Sequence, residues 1–131
     1  MISEAWALKA YLMGADGILP WNSIGRMKAF EEPTPTALIY PGKRLGIPKP
    51  LASFRLKALR RGQQDVEYLN LLALKTGWDR DQIAHAVMNL IGLKGEEREE
   101  YAEDAGRLVF ESLSPENFEK LRCSIAQLLT E

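Results

Sequence analysis

The stretch Pro50-Leu51-Ala52-Ser53-Phe54-Arg55-Leu56-Lys57-Ala58-Leu59-Arg60-Arg61-Gly62-Gln63-Gln64-Asp65-Val66-Glu67-Tyr68-Leu69-Asn70-Leu71-Leu72 decides how this chain is read. Its apolar residues recur at helical spacing. Leu51, Phe54, Leu56 and Leu59 begin a stripe that Val66, Leu69, Leu72 and Ala73 continue. Pro50 suits a first helical position, where its missing donor is not needed. Gly62 lies inside the pattern and costs about 1 kcal/mol relative to alanine, which points to a kink or a close backbone approach. Asp65 and Glu67 are two residues apart, so a helix turns them to different sides and they cannot flank one bond. Arg60 and Arg61 stand about one turn before Asp65, within salt-bridge reach along the helix.

On the N-terminal side, Ser3 to Met13 reads as a helix with Ser3 as N-cap and Gly14 as its stop. Its wide apolar coverage, from Trp6, Leu8, Ala10, Tyr11 and Leu12, suits packing on more than one side. Gly17 to Trp21 is a short apolar run without alternation, the pattern of a strand buried on both faces. Pro20 removes a ladder donor and marks a strand end or edge. Thr36 to Tyr40 reads as a second strand between two loops rich in Pro and Gly.

On the C-terminal side, Gly77 ends the long helix. Asp79 with Gln82 forms a capping pair for a helix to about Leu90, with Ile83, Val87, Leu90 and Ile91 inward. Glu96 to Ser112 reads as a further helix with acids in its first turn. Ser114-Pro115 starts a last one, in which Phe118, Leu121, Ile125, Leu128 and Leu129 share a stripe. These links are short, as in a small three-helix bundle. The chain is expected to be a single domain over 1–131, with a 1–75 segment and a 76–131 helical bundle.

The bulk composition narrows the function classes. In 131 residues, 17 basic and 18 acidic side chains leave a net charge of −1, so no global basic field draws nucleic acid or an anionic membrane. No apolar run approaches the roughly 20 residues that span a bilayer. The N-terminus has no basic region ahead of an apolar core, so the expected location is cytoplasmic. The single cysteine, Cys123, makes no internal disulfide, and the absence of a Cys/His cluster argues against a metal site. No cofactor is called for.

Individual chemical candidates are few. Lone His85 has no second ligand or carboxylate on its face and reads as a surface or boundary residue. Cys123 has no histidine partner for nucleophilic work. Gly42-Lys43 lacks the upstream glycine and the following Ser/Thr of a phosphate loop. Trp21 and Asn22 are the strongest ligand-contact candidates, because they stand at the C-terminal end of the first expected strand. In a barrel that end faces the active site. An indole suits the C–H face of a sugar, and an amide both donates to and accepts from hydroxyls.

Three segments in order then carry a resemblance: Ala15-Asp16-Gly17-Ile18-Leu19-Pro20-Trp21, Leu38-Ile39-Tyr40-Pro41-Gly42, and Ser53 through Leu69 of the stretch quoted above. Over about residues 5–75 the chain resembles the C-terminal domain of unknown function of bacterial glycoside-hydrolase-like proteins, β-N-acetylgalactosaminidase relatives among them. The resemblance implies that the tryptophan segment is the last strand of a (β/α) barrel and that the long helix closes it. It matches Trp21 to an aromatic at the sugar-binding end, and Tyr40, Pro41 and Gly42 to the family's loop. Arg55, Arg60, Gly62, Asp65, Glu67 and Tyr68 match the family's helix signature, as structural residues. Pro20, Arg61 and Val66 depart from it, standing where an aromatic, an acid and an aromatic are common. The family's Asp-Glu pair, which works with the substrate's own acetamido group, has no match in the sequence.

The expected fold is therefore α+β, mainly α: the closing α-β-α piece of a (β/α) barrel, with one or two short strands, plus a C-terminal three-helix bundle. The expected function is that of a non-catalytic part of a glycoside-hydrolase-like protein that contributes to carbohydrate binding through Trp21, Asn22 and Tyr40. Two alternatives stand beside it: a split hydrolase active on assembly with another chain, and a helical protein–protein interaction module. A strand built to be flanked calls for a partner, either a second copy or the missing barrel chain.

Overall fold

The computed structural model describes residues 2–20, 22–32, 34, 36–91 and 114–131. Within them the chain is mainly helical, with one small antiparallel sheet. The helices are α1 (Ile2–Leu12), α2 (Phe54–Thr76), α3 (Arg80–Ile91) and α4 (Pro115–Thr130); the strands are β1 (Ile39–Tyr40) and β2 (Leu51–Ala52). The chain divides into two compact units, Met1–Val66 and Glu67–Glu131, and the division falls inside α2. The expected helix Glu96–Ser112 lies outside the described residues.

In the first unit, α1 buries Ala5, Ala7, Leu8 and Tyr11, with Trp6 and Leu12 half-buried. That spread covers most of its circumference, as its apolar sequence requires. Two backbone bonds close its end, Gly14 N–H to Tyr11 C=O (3.0 Å) and Ala15 N–H to Ala10 C=O (2.9 Å). This is the crossed pair of a helix that ends in a left-handed residue, and Gly14 supplies that residue at φ +83°.

The expected strand Gly17–Trp21 is not formed over its described residues, 17–20, which are irregular, with Leu19 89% exposed. Such a strand needs neighbours on both sides, and Pro20 withholds one of its donors. The extended contact falls a few residues later. Ile24 bridges Ile39 in parallel, Gly25 N–H donates to Ile39 C=O (2.7 Å), and the Leu38 and Ile39 amides both donate to Ser23 C=O (2.8 and 2.9 Å). On the other side β1 pairs with β2, Ile39 opposite Ala52 and Tyr40 opposite Leu51. The second expected strand, Thr36–Tyr40, is thus present in its last two residues.

The start of α2 also shifts. Pro50 does not begin the helix; Leu51 and Ala52 are drawn into the sheet, and α2 begins at Phe54. The cause is Ser53. Its Oγ accepts from the Leu56 amide (3.1 Å), which is the N-cap bond, while its own N–H donates to Leu38 C=O (2.8 Å). Between the strands the loop folds on itself. Ile47 N–H returns to Gly42 C=O (3.0 Å). A Cβ on Gly42 would run into the carbonyl oxygen of Lys49 and lie 2.6 Å from that of Ile47. Only glycine fits there.

In the second unit, α2 ends at Gly77, φ +72°, whose amide donates to Ala73 C=O (2.9 Å). The expected capping pair of α3 is made in both directions: Gln82 N–H to Asp79 Oδ1 (2.8 Å) and Asp79 N–H to Gln82 Oε1 (3.0 Å). Ser114 caps α4 by accepting from the Asn117 amide (3.3 Å), with Pro115 next to it. A hydrogen bond from Ser114 and one from the backbone hold the Glu116 carboxyl below its ordinary value. Helices α3 and α4 pack together, and Ile83, Val87, Phe118, Leu121 and Ile125 are buried, with Leu69 and Leu72 of α2. Lys75 Nζ donates to Leu128 and Leu129 C=O (3.0 Å each), placing a cation at the negative end of α4. Leu90, expected inside, is 41% exposed.

Gly42→Ala should lower stability by about 2 kcal/mol, because backbone carbonyls rather than a flexible side chain must move. Gly17→Ala, where nothing lies within 4 Å, is the control and should stay within about 0.5 kcal/mol. Urea unfolding followed by circular dichroism measures both. Equal midpoints for the two variants would contradict the close approach at Gly42.

Candidate functional site

The first unit gathers an aromatic corner around Tyr40. β1 delivers Tyr40 at its end, where the next residue, Pro41, turns the chain into a 3-10 turn over Gly42–Leu45. A second 3-10 turn, Met27–Phe30, supplies Phe30. The Phe30 and Tyr40 rings meet edge to face, centroids 5.5 Å apart at 83°. This is the favoured geometry for two quadrupoles. The Arg44 guanidinium lies over the Phe30 ring, 5.7 Å from its centroid. Gly25 forms the floor: a Cβ there would stand 3.0 Å from Cδ1 of Tyr40 and 3.2 Å from Cε1. Tyr40 and Phe30 are both half-buried.

Asn22 is exposed and sits in a turn at φ +52°, the left-handed region that asparagine tolerates better than most residues. Trp21 lies outside the described residues. Asn22 is one residue from Ser23, whose carbonyl receives two amides of the segment leading into β1. Asn22 thus immediately precedes the segment that pairs with Leu38 and Ile39.

The helix-signature residues separate by face. Gly62 is buried, and Asp65, 1% exposed, is the single buried charged residue among those described. Asp65 and Arg61 are both partnered. Arg55 is half-buried; Arg60, Glu67 and Tyr68 are exposed. Glu67 Oε2 accepts a long bond from Asn70 Nδ2 (3.5 Å). The opposite burial of Asp65 and Glu67 follows from their two-residue spacing.

Among the described residues no group of three His, Cys, Asp or Glu side chains is placed to hold a metal, and no buried side-chain nitrogen or oxygen lacks a hydrogen-bond partner. His85 and Cys123 are exposed. No described helix is long and apolar enough to cross a membrane.

Sequence reasoning missed Phe30 and Arg44. Phe30 is a lone aromatic in a loop read as Ser23–Pro35, where no periodicity announces a contact. The signal for Arg44 is its place four residues after Tyr40, which a tight turn brings back over the strand end. No family model, curated protein or solved structure matches the chain.

Two variant pairs test these assignments. Tyr40→Ala should cost about 2 kcal/mol through lost ring contacts, and Tyr40→Phe less than about 0.5 kcal/mol, since the edge-to-face pair needs no hydroxyl. Asp65→Ala should cost about 1–3 kcal/mol, because a buried and partnered carboxylate loses its interactions, while Glu67→Gln stays within about 0.5 kcal/mol. Chemical denaturation reads all four. A Glu67→Gln variant as unstable as Asp65→Ala would reverse the assignment of the two acids.

Proposed function

We propose that this chain is a non-catalytic C-terminal part of a glycoside-hydrolase-like protein and that it contributes to carbohydrate binding. Trp21, from its place in the sequence, and Asn22 are the sugar contacts, and Tyr40 borders them. The observation that carries this reading is the surface of the segment around Asn22. Leu19 (89%), Ile24 (61%) and Met27 (55%) stand exposed on either side of an exposed amide. Apolar groups beside hydroxyl-recognising ones are the mixture that sugar faces require. The same exposed Leu19, on a segment with the composition of a buried strand, supports a partner that completes the sheet: the missing barrel chain or a second copy of this one.

On this reading glycosidic bonds are not cleaved by the chain alone. Hydrolysis typically takes two carboxyl groups roughly 5–10 Å apart, or one with a substrate acetamide. Asp65, the one buried acid among the described residues, is already partnered. The split-hydrolase alternative keeps the same residues and adds the acid pair from another chain.

A second reading has its own support. In the second unit Tyr68 (49% exposed), Leu71 (50%) and Leu74 (83%) follow one another at three-residue steps along α2. Such a strip suits a helical protein–protein interaction surface.

Saturation-transfer NMR with N-acetylhexosamines tests the first reading. Signals are expected for the native chain and should vanish in Trp21→Ala with the circular-dichroism spectrum unchanged. Signals unaltered by that substitution would remove Trp21 from the site. Nitrophenyl N-acetylhexosaminides should release no nitrophenol. Light scattering at micromolar concentration should give a mass above that of the 14.8 kDa monomer, and Leu19→Lys should restore the monomer mass.

A further inference from the structure

We infer that the corner around Tyr40 takes an acidic saccharide, one bearing carboxylate or sulfate groups. This rests on the carbohydrate-binding reading and names the class of sugar. Between residues 26 and 49 the chain carries five cations, Arg26, Lys28, Lys43, Arg44 and Lys49, against two carboxylates, Glu31 and Glu32, although the whole chain has a net charge of −1. The fold sets these cations on backbone that adjoins the Tyr40 corner, and Glu31 and Glu32, whose amides donate to the Lys28 carbonyl, stand on the same stretch. Arg26 follows Gly25, on which the Tyr40 ring rests and whose amide bonds to Ile39. Lys28 belongs to the turn that ends in Phe30. Lys43 and Arg44 belong to the turn that follows Tyr40. The carbonyl of Lys49 lies against Gly42.

All five are exposed, and among the described residues no carboxylate forms an ion pair with any of them. A local excess of cations over carboxylates attracts an anion. Arg44 is already oriented by the Phe30 face. A guanidinium over an aromatic ring can still offer its N–H groups for a two-pronged bond to carboxylate or sulfate. Tyr40 and Phe30, both half-buried, are aromatics of the kind that sugar C–H groups pack on. A saccharide fits better than a nucleic acid. The two rings are engaged edge to face with each other rather than set out as a ladder for bases, and the chain has no global positive field.

Calorimetric titration of the full chain with oligogalacturonate, a sulfated oligosaccharide and a neutral galacto-oligosaccharide tests the inference. An acidic sugar should bind more tightly than the neutral one, and its affinity should fall as salt rises. The double substitution Lys43→Gln/Lys49→Gln should weaken acidic-sugar binding roughly tenfold, about threefold for each exposed charge removed. Neutral sugar bound as tightly as acidic sugar would overturn the inference and leave the carbohydrate reading standing. So would silence toward acidic sugars when N-acetylhexosamine signals persist. Silence toward every sugar, with binding of poly-uridylate RNA, would overturn both and assign the cations to nucleic acid.

Discussion

The peptide groups of Leu38 hold the first unit together. The Leu38 amide donates to Ser23, and the Leu38 carbonyl accepts from Ser53. Leu38 itself is buried, so neither bond is open to competition from water at little cost. One bond brings the loop after α1 alongside the segment entering β1. The other fixes the residue whose hydroxyl caps α2. The position of the sheet and the first turn of the long helix are therefore set by the same peptide. Moving the helix start back to Pro50 would give up the β1–β2 pairing and the serine cap together. A favourable proline position does not outweigh that.

The aromatic corner follows from this arrangement. Tyr40 is the last residue of β1, so its register is fixed by the pairing with Leu51 and by the bridge one residue earlier. A slip of one residue would turn Tyr40 to the other face. The loop that follows has no freedom to wander, because Gly42 is packed under the carbonyls of Ile47 and Lys49. Arg44 returns over Phe30 as a consequence of that closure. The cations of the corner are thus carried by backbone that is tied down within a few residues of each of them, which lowers the ordering cost of binding an anion there.

Much of the helical structure was legible in the sequence because its signals are local. Asp79 with Gln82, Ser114 with Pro115, and glycines after Tyr11 and Thr76 act within one turn of where they stand. The inward stripe of α4 could be read from spacing alone. Segment 17–20 was not legible for the opposite reason. Its apolar run states that it is suited to a sheet interior, but whether a strand forms depends on neighbours elsewhere. The corner around Tyr40 was half legible. Tyr40 could be named from its motif, while Phe30 and Arg44 reach it through turns whose closure depends on long-range contacts.

The burial pattern along α2 bears on how the functional alternatives differ physically. Gly62 and Asp65 lie inward and so act on the fold, whatever the chain binds. Leu71 and Leu74 lie outward near the helix end, and Leu19 lies outward far from them in sequence. The proposed sugar site rests, among the described residues, on exposed Leu19, Asn22, Ile24 and Met27 and on half-buried Tyr40. A protein partner needs a larger apolar area, commonly about 800 Å² on each side. The exposed leucines of α2 are a natural start for such an area, and none of them is required for a sugar contact around Asn22. The two proposals therefore rest on separate residues, and neither excludes the other.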